Sequence, residues 1–242
     1  MDHFDKNDTL KLQDNMKSVE IFRLFGDYFN TRGFKKKGSM VYRINDYISL
    51  CLFFECTNTG SVYFDYSFFP IIMSSCFFHY TYGGRLQDIS PGRHTSLTVP
   101  YETEESIQKW VQIVKDAVDS RLIPFYQMIE DPKTLLNYLY SNEKDNIFSC
   151  SFVDRIMLTA YLEVYIGENP KKILSFLEYS KDCLLHSPKV QISEKGRLIK
   201  IEELDVLASL TKGTEVEKDC FFNNIKNDMR EKHFGLERIY NL

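Results

Sequence analysis

The hydrophobic period of this chain changes at Pro100, and a chain whose period switches from two to three and a half must divide its core between a sheet and helices. Before the switch, Tyr47-Ile48-Ser49-Leu50-Cys51-Leu52-Phe53-Phe54 alternates, which puts Ile48, Leu50, Leu52 and Phe54 on one face of a strand. Thr57-Asn58-Thr59-Gly60 reads as a turn, and Val62, Phe64, Tyr66 and Phe68 repeat the alternation on a second strand. Pro70 ends that strand, Ser74–Tyr82 offers a third, and His94–Val99 adds one more. Gly83-Gly84 and Pro91-Gly92 read as loops between them. The pattern predicts an antiparallel meander packed by long helices, an α+β arrangement.

After Pro100 the apolar residues recur at helical spacing. Ile107, Trp110, Val111, Val114, Val118 and Leu122 form one stripe behind Glu102, Glu104 and Glu105, whose charges suit a helix N-terminus. Pro124 is expected to break or kink this helix near Ile123. Asp131-Pro132 opens a helix carrying Leu135, Leu136 and Leu139. Further helices are expected over Phe152–Ile166, stopped by Gly167, then from Asn169-Pro170 to before Pro188, then over Ser193–Lys212, closed by Gly213. Thr214 and Glu217 have capping-box spacing for a last one, with Phe221, Phe222, Ile225 and Met229 inward. Upstream of the sheet, Lys11–Arg32 reads as an amphipathic helix ended by Gly33, and Lys35–Lys37 as a solvated turn. The division expected is an α+β unit over residues 1–142 and an all-α extension of helix-turn-helix pairs over 143–242.

Composition narrows the function. Thirty Lys and Arg stand against 34 Asp and Glu, a net charge of −4 spread evenly over both halves, which argues against a general nucleic-acid binder. An aromatic sheet beside three lysines does resemble the stacking platforms that bind single strands, but no RNA-recognition sequence pattern accompanies it. Apolar runs such as Leu50–Phe54 and Phe68–Met73 are too short to span a bilayer, and the N-terminus lacks the pattern of a secretory signal. The six cysteines, with no CxxC pair, read as reduced thiols of a cytoplasmic protein. Thirteen of the 35 aromatic residues fall between Tyr42 and Tyr82, so most of that excess must be core.

Gly33-Phe34-Lys35-Lys36-Lys37-Gly38, Val41-Tyr42-Arg43, Arg85-Leu86-Gln87-Asp88-Ile89-Ser90-Pro91-Gly92 and Leu122-Ile123-Pro124-Phe125 occur in that order after a long first helix. In this the chain resembles a bacterial family known only as a domain of unknown function, over roughly residues 15–140. The resemblance implies a bacterial source and an α+β fold, and it implies no activity. Family members often carry a Trp-rich strand after the Pro-Gly turn, where this chain has His94-Thr95-Ser96-Leu97. Ala160-Tyr161, Gly167, Pro170 and Ile173 resemble one unit of the tetratricopeptide kind, whereas an array needs about three.

Chemistry has few candidates. Asp65, His79, Arg85, Asp88, Arg93 and His94 can be brought near one another by a meander and its loops, and form the candidate polar site. Arg85 and Asp88 are expected to pair locally. Cys76-Phe77-Phe78-His79 is half of a zinc-ligand spacing without a second half, so no metal and no cofactor is expected. No nucleophile elbow, metalloprotease helix or phosphate loop is present. Tyr63, Tyr66, Tyr80 and Tyr82 are the candidate partner-binding residues, because Tyr tolerates a half-exposed surface. The expectation is a non-enzymatic protein-binding module, immunity-like or regulatory, in the bacterial cytoplasm. The alternatives are a small-molecule or nucleotide hydrolase using the His/Asp/Arg group, and nucleic-acid binding.

Overall fold

A computed structural model describes residues 21–57, 60–73, 82–92, 95–98, 102–141 and 146–236. Its centre is an antiparallel sheet of β1 (Lys35–Lys37), β2 (Met40–Ile44), β3 (Ile48–Cys56), β4 (Ser61–Pro70), β5 (Gly83–Arg85) and β6 (Ser96–Thr98). The first five pair in chain order, and β6 joins the same side of β4 as β5. β4 is long enough for both: Ser61–Tyr63 meets β6 and Asp65–Ser67 meets β5.

The register sorts the side chains as the alternation predicts. Leu52 lies opposite Val41 and Tyr66, Phe54 opposite Phe64, and Leu50 opposite Phe68, all on one face. The rings of Phe22, Phe25 and Trp110 close on Phe54, and those of Phe125 and Phe148 on Phe68. The other face carries Tyr42, Cys51, Phe53, Asp65, Ser67 and Phe69, and it too is buried. His233 and Phe234 lie on Phe69, and Phe234 lies on Tyr42. So the sheet has cover on both faces, and full burial of each Phe-sized side chain is worth roughly 1.5–3 kcal/mol.

The helices are α1 (Tyr28–Thr31), α2 (Leu86–Ile89), α3 (Glu104–Ala117), α4 (Ile123–Met128), α5 (Pro132–Ser141), α6 (Phe152–Ile166), α7 (Pro170–His186), α8 (Glu194–Lys212) and α9 (Glu215–Met229). Their starts follow the caps. Ser151, Asn169, Ser193 and Thr214 each accept a backbone N–H three residues on, and Thr214 and Glu217 complete a capping box. Gly167 ends α6 in the left-handed conformation, with φ 71°. α6 is the central helix, buried without a break from Ile156 to Val164. It ties to the sheet where the Tyr82 hydroxyl donates to the Asp154 carbonyl at 3.0 Å. A single buried cluster runs from Ile21 to Phe234, so residues on either side of position 142 share one core.

Three local expectations differ from the structure, and a fourth, at Pro124, is sharpened by it. Of Lys11–Arg32, residues 21–32 do not form one helix: a tight helical turn, Phe22–Phe25, ends at Gly26 (φ 53°, ψ −131°), and α1 begins afresh. Phe22, Phe25 and Phe29 still point inward, because the break preserves the stripe while redirecting the backbone. At Pro124 the expected break or kink takes the form of a local widening and not of an end. A wide π turn, Val118–Leu122, precedes it, and the Ile123 N–H reaches back five residues to the Val118 carbonyl. That widening absorbs the missing N–H and the bulk of the proline ring, so α4 continues from α3. Gly83-Gly84 is strand, not loop. A Cβ at Gly83 would sit 2.1 Å from the Tyr66 carbonyl oxygen, so glycine is what lets β5 approach β4. Lys35–Lys37 is likewise a strand rather than a turn. Of the expected third strand, residues 74–81 lie outside the described residues; of His94–Val99, Ser96–Thr98 is β6.

Candidate functional site

Two polar groups stand out against this core, one in the sheet and one between helices. In the sheet, the register sets Asp65 opposite Arg85. Asp65 is fully buried, and the Arg85 Nε lies 3.3 Å from its Oδ1. The same guanidinium donates through Nη2 to Glu55 at 2.6 Å and lies 4.5 Å over the Tyr63 ring. One planar cation thus meets two carboxylates and a π face, the fork geometry that suits arginine and not lysine. Asp88 takes part through the backbone: its Oδ2 accepts the Arg85 N–H at 2.7 Å. The local Arg85–Asp88 pair therefore exists as a cap for α2, while the guanidinium itself turns to Glu55 and Asp65.

The structure brings Asp65, Arg85 and Asp88 together, whereas His79, Arg93 and His94 of the candidate polar site lie outside the described residues. Two of the tyrosines proposed for partner binding are core. Tyr66 and Tyr82 have no exposed surface: Tyr66 packs at Gly84, and Tyr82 is spent on Phe148 and the α6 backbone. Tyr63 is half-buried beneath Arg85, and Tyr80 lies outside the described residues. Sequence alternation shows which face a Tyr takes but not whether that face has cover.

The second group lies at the α5–α6–α7 junction and carries no recognised motif. Glu163 sits on the buried helix α6, 5% exposed. The Tyr140 hydroxyl donates to its Oε1, and the Lys172 ammonium is 3.0 Å from the same oxygen. Lys172 also lies 5.1 Å over the Tyr140 ring. Burial, reinforced by the hydrogen bond to Glu163, raises the Tyr140 pKa well above that of a free phenol, so the ring remains a neutral donor. Phe176 meets Tyr140 edge-on at 6.0 Å and Tyr179 at 6.2 Å. These side chains line an open cleft of about 600 Å³. Tyr140 is 40% exposed and Tyr179 58%. The signal was in the sequence: Lys172, Phe176 and Tyr179 fall at i, i+4 and i+7, beside the buried Ile173–Leu177–Ser180–Leu184 stripe.

Among the described residues, no group of three or more His, Cys, Asp and Glu is placed to hold a metal ion. The described cysteines are free thiols, and burial pushes Cys51 up to about 12, which keeps it protonated and inert. No helix of the described residues is long and apolar enough to cross a membrane. Comparisons of the chain with family models, with curated proteins and with solved structures gave no match.

Proposed function

We propose that this chain is a non-enzymatic protein-binding module, a regulatory or immunity-like partner of another protein in the bacterial cytoplasm. The observation that carries the reading is the aromatic cleft of Tyr140, Phe176 and Tyr179. Large aromatic rings left half in water on helices, beside a cation and over a buried carboxylate, are what protein interfaces use as anchors. The test is a photo-reactive phenylalanine analogue at position 179, irradiated in the native host. One dominant adduct is expected, and Phe176→Ala is expected to weaken binding of the captured protein by about 2 kcal/mol. No adduct, or adducts indifferent to Phe176, would sink the reading.

The Asp65–Arg85 pair supports a second reading, a hydrolase of small molecules or nucleotides. Against it, Arg85 already serves Glu55 and Asp65, and a substrate anion must displace one of them. Turnover of a phosphoester panel that vanishes in Asp65→Asn, with the fold intact by circular dichroism, would establish it over the binding module.

A further inference from the structure

The chain is acidic overall, yet one edge of its sheet is basic. β1 is Lys35–Lys37, exposed at all three residues, and among the described residues it is the outermost strand on its side. The register pairs Lys35 with Tyr42 and Lys37 with Met40, so both lysines rise on the face that Phe234 covers. There Arg230 acts on the neighbouring Tyr42 hydroxyl. Lys37 reaches Gly235, with its ammonium 3.3 Å from where a side-chain carbon would start. Burial first, and then the charges of Lys232 and Lys37, lower the pKa of His233.

Two distant segments, 35–37 and 230–232, therefore bring Lys35, Lys37, Arg230 and Lys232 to one side with a single carboxylate of those segments, Glu231, while Lys36 turns to the opposite face over Phe22. None of Lys35, Lys37, Arg230 and Lys232 forms an ion pair with a described carboxylate, and among the described residues the buried Arg230 Nε has no hydrogen-bond acceptor. A short lysine-rich edge is a common guard against strand pairing between copies. Guarding does not require further cations from another element, and gathering like charges costs stability unless a countercharge arrives.

We propose that the β1 edge docks an extended acidic segment of a partner protein as an added strand, with its carboxylates on Lys35, Lys37, Arg230 and Lys232. An edge strand turns alternate N–H and C=O groups outward, which supplies main-chain hydrogen bonds for such a segment. Alternate residues of a strand stand about 7 Å apart on one side, so Lys35 and Lys37 match acidic residues at every second position of the peptide. This surface is separate from the aromatic cleft and does not depend on it.

The experiment is fluorescence anisotropy of the full chain with a labelled ten-residue peptide alternating Glu with Val. Binding is expected, weakening with salt, and Lys35→Gln with Lys37→Gln is expected to weaken it by about tenfold or more. Arg230 is partly buried, so Lys232→Gln tests the second segment, with a smaller loss expected. The same peptide N-methylated on alternate residues keeps its charge but cannot join a sheet, and it is expected not to bind. Equal binding of the N-methylated peptide would overturn strand addition. Equal or tighter binding of a single-stranded oligonucleotide of the same charge would replace the peptide with nucleic acid, and no binding of the acidic peptide at low salt would remove the proposal altogether.

Discussion

Asp65 and Glu163 are both carboxylates removed from water, and each has a single cation within ion-pair distance among the described residues, yet their surroundings have little in common. Asp65 lies within a six-stranded sheet, and the Arg85 that serves it is itself held by Glu55 and by the Tyr63 ring, with 36% of its side chain exposed. Glu163 lies on a helix, and its Lys172 is a flexible chain 59% exposed, so a phenol must share the work. Arginine's planar fork joins fixed strands, whereas lysine and tyrosine tune a surface that faces solvent. The difference separates a group locked between fixed strands from one held at a surface open to solvent.

That contrast can be broken first at Arg85. Arg85→Met removes the described cation beside buried Asp65, a loss expected to reach about 2–4 kcal/mol in urea denaturation once solvent screening of a partly exposed arginine is allowed for. Asp65→Asn should be costly alone but nearly neutral in the Arg85→Met background, since the two changes report on one interaction. Additive effects would show that Arg85 serves mainly Glu55. Tyr140→Phe comes next: removing one donor from buried Glu163 is expected to cost about 1–2 kcal/mol by the same measurement. Lys172→Met is expected to cost about 1 kcal/mol or less, because a mostly exposed ammonium is well screened. If Lys172 proved to matter more than Arg85, the contrast would be reversed.

The smallest effect concerns a third titratable group, His233, which has two like charges near it. His233 packs on Phe69, and its pKa is lowered by burial first and then by Lys232 and Lys37. A depressed folded value means that the unfolded chain binds the proton more readily. The associated stability is therefore present above about pH 6.5, the ordinary His value, and declines as pH falls below it. Denaturation midpoints at pH 7.5 and 5.5 should differ by less in His233→Asn than in the parent chain. An unchanged difference would assign the pH dependence to other groups.

Much of the architecture is legible from local chemistry. Asn169-Pro170, Gly167 and the Thr214/Glu217 box mark helix ends where the backbone needs caps, and β3 and β4 follow their alternation. What stays hidden depends on partners distant in sequence. Gly83-Gly84 looks like a turn until the Tyr66 carbonyl is seen to require a strand without side chains. Gly26 interrupts a helical stripe whose periodicity carries on across the break. Pro124 reads as a break or kink, but the π turn that accommodates it has no sequence signature. Of the candidate sites, Asp65 with Arg85 and Asp88 was accessible through strand register, while Glu163 was concealed as one acidic residue in an apolar helix.

The contact of Phe234 with Tyr42 and Phe69 has a consequence for how the protein is made. During synthesis, the β2–β4 hairpins leave the ribosome with one face uncovered and stay so until nearly all the helices have followed. Such closure from opposite ends of the described chain raises the contact order and slows folding. It also leaves an aromatic surface open to wrong partners while translation continues. Three exposed lysines on β1 disfavour pairing with a second copy at that edge by charge repulsion, in the unfinished chain as in the folded one.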